Sequence, residues 1–251
     1  MKKIIPLLFL FLTCFTCYLI YNLTETEHNY YLAVGDILAN NPITKNNPNI
    51  TTYNTDFINK DYRIIDIVNI IKYNEEITIN NNTVSIHQLF KKSDTIILSI
   101  GMNDIYHKLN DNTKDIYTYI NEMVNNMDYI LEEISKYHPK QVLILGYYNI
   151  TNKNNDVFTY LNYKVEKISQ KYHYTFVKLN NHLKNNPELL QKSDNFYLNK
   201  AGYQTINQII VENLKKYWYN IKRIYYYDLF LSWRKEKLWK KIYIQIMLKQ
   251  Q

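Results

Sequence analysis

Apolar positions along the chain follow two different periods. Tyr30-Tyr31-Leu32-Ala33-Val34, Thr95 to Ile100 and Gln141 to Leu145 are short, nearly unbroken apolar runs. Such runs predict strands buried on both faces of a parallel sheet. Thr51 to Phe57 alternates weakly and predicts a second strand, and Tyr174 to Leu179 predicts a fifth. Elsewhere the period lengthens. Ile116, Ile120, Met123, Met127, Ile130, Leu131 and Ile134 recur at helical spacing, so Asp115 to Tyr137 predicts an amphipathic helix. Helices are also predicted over 64–71, 157–172 and 201–217, the first despite its β-branched isoleucines. Ile77 to Ile86, with Asn80-Asn81-Asn82 in its middle, predicts a hairpin, and the Asn- and Pro-rich residues 38–50 a loop.

Strand and helix alternate, which predicts an α/β three-layer sandwich around a mainly parallel five-stranded sheet. In such sheets ligands sit at the carboxyl ends of strands. Gly35, Gly101 and Gly146 fall at three of these ends, in a chain with only 4 glycines. The predicted organisation is an N-terminal segment 1–27, one domain over 28–218 and an extension over 219–251. The 46% apolar content is enough for a core.

The N-terminal segment reads as an address. Lys2 and Lys3 precede Ile4 to Tyr21, an uncharged stretch long enough to span a bilayer. No small-x-small cleavage pattern follows it. The expectation is an uncleaved signal anchor whose lysines keep the N-terminus cytoplasmic, with the domain on the extracytoplasmic face. The alternative is a cleaved signal and a secreted protein. The formal charge is +7. From Ile221 to Gln251 eight Lys or Arg stand against Asp228 and Glu236, so nearly all the excess lies in this tail. That distribution argues against a nucleic-acid surface. With Trp233 and Trp239 the tail reads as a basic amphipathic helix on an anionic membrane, or as a helix packed on the domain. Cys14 and Cys17 both lie in the apolar run, leaving the domain without disulfide or cysteine-metal chemistry. His87, His138, His173 and His182 show no metal-ligand spacing, and no cofactor is expected. The 26 tyrosines reflect compositional bias, which lowers the information in any one of them, including Tyr147-Tyr148.

Three blocks carry the candidate chemistry: Gly35-Asp36-Ile37-Leu38, Gly101-Met102-Asn103-Asp104, and Asp194-Asn195-Phe196-Tyr197 followed by Gly202. In order and placement the chain resembles the GDSL, or SGNH, family of ester hydrolases from about Tyr31 to Leu214. The resemblance implies a nucleophilic serine at position 37, where the chain has Ile37. It implies a general-base histidine at position 197, where the chain has Tyr197. Asn103 occupies the oxyanion-donor position and Asp194 the position of the triad acid. Gly35, Asp36, Gly101 and Asp104 are implied as binding or structural residues, the two aspartates as hydrogen-bond acceptors in turns or caps. The family's further oxyanion glycine has no counterpart, because no glycine lies between Gly35 and Gly101.

Ester hydrolysis by a serine needs a hydroxyl, a base, an orienting acid and oxyanion donors. A hydrocarbon cannot attack a carbonyl, and a phenol with a pKa of about 10 is a poor base at neutral pH. Both replacements are reachable by single-base changes toward A or T, which fits relaxed selection on catalysis. The leading expectation is a membrane-anchored protein of this fold without ordinary esterase activity, holding an acylated carbohydrate, lipid or cell-wall ligand. One alternative is an active ester hydrolase with displaced groups, such as Ser99 or a water activated by Asp194. Another is a structural or interaction protein at the membrane surface. His107, three residues beyond Asp104, reads as a solvated loop histidine.

Overall fold

The computed structural model describes residues 30–35, 54–58, 62–79, 82–110, 115–150, 153–190 and 197–216. Among the described residues there are seven strands: β1 (Tyr30–Gly35), β2 (Asn54–Ile58), β3 (Glu76–Ile79), β4 (Asn82–Ser85), β5 (Thr95–Ser99), β6 (Gln141–Leu145) and β7 (Thr175–Val177). Five of them form one sheet in the order β2-β1-β5-β6-β7, and all four neighbouring pairs are parallel. β3 and β4 make the expected antiparallel hairpin. Every residue of β5 and β6 is buried, which is why these strands read as continuous apolar runs.

The helices are α1 (Ile64–Tyr73), α2 (Ile86–Lys92), α3 (Met102–Asn110), α4 (Ile116–Ser135), α5 (Asn155–Lys171), the short α6 (Asn180–Leu183) and α7, residues 200–216. α1 forms despite its β-branching because Ile64, Ile67, Ile70 and Ile71 bury one face, and packing outweighs propensity. Asn74, left-handed at φ 50°, ends it. α4 carries the long stripe from Ile120 to Ile134 and packs against both α1 and α5. Right-handed crossovers put α1 to α5 on one face, since every connection from β2 onward advances across the sheet in the same direction. The connection from β1 to β2 runs the other way. That reversal makes the β1/β5 boundary the switch point of the sheet, the place where open α/β sheets take their ligands, outside the carboxyl ends of the strands.

The elements differ from the sequence reading in several places. The hairpin ends at Ser85 rather than Ile86, and α2 follows at once. Ser85 Oγ accepts from Gln88 N at 3.3 Å and Gln88 Oε1 accepts from Ser85 N at 3.4 Å, a reciprocal cap. His107 lies on α3, exposed, and not in a loop. The fifth strand is cut to three residues because Leu179 N turns back to Val177 O at 2.9 Å. No helix among the described residues is long and apolar enough to cross a membrane. The expected anchor at 4–21 and the extension at 219–251 lie outside the described residues.

Candidate functional site at the strand ends

β1 and β5 end side by side, with Gly35 in register with Ser99. Both glycines of the first two blocks are required there. Gly35 has φ +129°, and a Cβ on it would lie 2.5 Å from the carbonyl carbon and oxygen of Ser99. Gly101 has φ +98°, and its Cβ would lie 2.7 Å from Ile64 Cδ1 and from Tyr147 Oη. Both have a left-handed backbone that disfavours any side chain, and at Gly35 the crowding atoms are backbone, so a side chain is excluded there twice over.

The turn at Gly101 leads directly into α3. Gly101 O accepts from Ile105 N at 3.2 Å, placing half-buried Asn103 in the first turn. A helix start supplies backbone N–H groups and the positive end of the dipole, so this rim favours an electronegative ligand oxygen.

Asp104 does something the sequence did not announce. Besides the bond to its own backbone N–H at the helix start, its Oδ2 accepts from Ile64 N at 3.2 Å, tying the start of α1 to the start of α3. Its Oδ1 accepts from the Tyr119 hydroxyl of α4 at 3.2 Å. Burial pushes the Asp104 carboxyl above the usual range, against the pull of these two bonds and of the Arg63 charge. Burial, reinforced by the Asp104 carboxylate, also pushes Tyr119 up to about 12.

A second clamp comes from the end of β6. Tyr147, buried, donates its hydroxyl to Ile100 O at 2.9 Å, next to Gly101. Asn162 of α5 holds that tyrosine by its backbone, accepting from Tyr147 N at 2.8 Å and donating to Tyr147 O at 2.7 Å. Sequence reasoning set Tyr147 aside as compositional and passed over Asn162. The available signal was Gly146, which marks a strand end where the next residue turns over the site.

Ser99, the hydroxyl of the displaced-chemistry alternative, is 2% exposed, and among the described residues its Oγ has no hydrogen-bond partner. Tyr197 is half-buried against the core just before Leu198, which bridges to Leu190. Asn199 then caps α7, its Oδ1 accepting from Ala201 N at 2.9 Å and Gly202 N at 3.1 Å. Thus Gly35, Ser99, Gly101 and Asn103 are brought together at adjacent strand ends, and Tyr197 leads into the last helix. Asp36, Ile37 and Asp194 lie outside the described residues. Among the described residues no group of three or more His, Cys, Asp or Glu stands together as a metal site.

No protein-family model and no curated protein matches the chain. Solved structures do. A lipase from a goat rumen metagenome is 14% identical with a TM-score of 0.59, covering 73% of this chain and 96% of its own. A GDSL-like lipase from Parabacteroides merdae is 14% identical with a TM-score of 0.53, covering 74% and 94%. A catalytic mutant of an acetylxylan esterase from Geobacillus stearothermophilus is 12% identical with a TM-score of 0.55, covering 73% and 93%. At these identities the likeness establishes the fold. The chain is built on the α/β scaffold of the GDSL-like lipases and acetylxylan esterases, the SGNH hydrolase fold.

Proposed function

We propose that this chain is a diverged member of the SGNH/GDSL family that has given up serine ester hydrolysis and kept the crevice as a binding site. In this reading residues 4–21 anchor it and the domain faces the extracytoplasmic side. The ligand is an acylated carbohydrate, a lipid or a cell-wall fragment. Its carbonyl oxygen is received by Asn103 and the start of α3, and Asp194 is a binding or structural group.

The observation that carries the proposal is chemical. The scaffold is that of esterases, yet position 37 is isoleucine and position 197 is tyrosine. Hydrocarbon at position 37 and phenol at position 197 deprive the serine mechanism of its nucleophile and its base. The burial of Ser99 counts against the displaced nucleophile.

The test is hydrolysis of p-nitrophenyl acetate by the full-length chain, with an Ile37→Ser, Tyr197→His double variant alongside. The expected outcome is background turnover for the wild type and a gain of about a hundredfold or more in the double variant. Wild-type turnover that disappears in Asp194→Ala would overturn the proposal.

A further inference from the structure

We propose that a second site, the groove between α5 and the edge strand β7, binds a neutral saccharide. Thr159, Asn162, Tyr163 and Glu166 occur at helical spacing and form one face of α5. The helix commits Val157, Phe158, Leu161 and Val165 to the core instead. Its polar stripe therefore lines a groove of about 260 Å³, whose other wall is Phe176, Lys178, Asn180 and Asn181.

The groove is both held in place and left with unused hydrogen-bonding capacity. Asn162 spends its amide on Tyr147, fixing the inner end. Asn180 Oδ1 accepts from Asn149 N at 2.9 Å, which orients that amide and leaves its NH2 to a ligand. Among the described residues the Asn181 amide and the Tyr163 hydroxyl make no hydrogen bond, and the Tyr163 side chain is exposed on the groove wall. A site of fixed shape with a few convergent polar groups is what small-molecule recognition requires.

Charge and surface then select the ligand class. Lys178 Nζ pairs with Glu166 Oε1 at 2.9 Å, so the groove's cation and anion cancel and neither a phosphate nor an ammonium is favoured. Amide and hydroxyl walls would leave an acyl chain against unsatisfied polar groups. Phe176 in the groove offers an apolar face to the C–H side of a sugar ring, beside Tyr163, whose ring also carries Lys167 Nζ 5.7 Å from its centroid. The amides and the ion pair offer donors and acceptors to its hydroxyls.

The test is calorimetric titration of the full-length chain, in a zwitterionic sugar-free detergent, with xylotriose, cellotriose and chitotriose. At least one is expected to bind with millimolar or tighter affinity. Tyr163→Ala and Asn181→Ala should each weaken it by about tenfold or more, with an unchanged melting temperature. Tyr73→Ala, an exposed tyrosine on α1, should leave it unaltered. The proposal is overturned if none of the three binds or if both groove variants bind like the wild type.

Discussion

Asp104 is the residue whose role the structure changes most. Buried beneath the strand-end rim, it joins α1, α3 and α4 through two hydrogen bonds. Its folded carboxyl titrates above the ordinary 3.8, chiefly from burial. The folded state therefore holds this proton more tightly than the unfolded chain does. The associated stability is complete below the unfolded value and is lost as pH rises through the folded one. Asp104→Asn removes that titration. Urea midpoints measured from about pH 3.5 to about pH 7 should show wild-type stability falling relative to the variant as pH rises. A relative gain would mean that the bonds from Ile64 and Tyr119 outweigh burial. At this scale the sequence was uneven. Gly35 and Gly101 were legible because glycine is scarce and both stand at strand ends. Tyr147 and Asn162 were not, because abundant residue types hide the few copies that hold a turn in place.

Among the elements, the sheet and the long helices were readable because burial on one or both faces prints a period into the chain. β5, β6 and α4 lie within a residue or two of their expected bounds. The elements that escaped have little apolar surface to announce them. In α3, Met102 and Ile105 are buried beside Asn103 and Asp104, two residues that read as turn formers. α2 was announced only by Ser85 and Gln88, a capping pair overshadowed by the hairpin before it. Caps also decide α7. Asn199 serves two N–H groups of that helix and donates to Glu188 O at 2.5 Å and Leu190 O at 3.1 Å, closing the preceding loop onto it. Asn199→Ala should cost about 1–2 kcal/mol in chemical unfolding, and Asn199→Asp, which keeps the accepting oxygen, should cost less. Equal losses in the two variants would place the weight on the loop bonds.

For the whole molecule, the fold says where a ligand would sit, while the identity of the ligand is carried by side chains that the fold does not dictate. The same separation holds for charge. The described domain is close to neutral and the excess sits in residues 221–251, whose basic and tryptophan content suits an anionic lipid surface. A peptide spanning those residues should gain helical circular dichroism on vesicles containing phosphatidylglycerol. Neutral phosphatidylcholine vesicles should have little effect, and added salt should reverse the gain. An equal response to both lipids would remove electrostatics from the explanation.

The placement of β1 also has a kinetic consequence. It is made early, yet its inner neighbour is β5, and Tyr30 N reaches Asp94 Oδ2 across 64 residues. Closing so long a separation is slow. Until β5 has been synthesised, the first strand has only β2 to pair with, and its apolar flank stays open to wrong partners. Refolding from urea should therefore be rate-limited by capture of this strand. A nascent chain halted before Thr95 should be sticky, aggregating or recruiting chaperones.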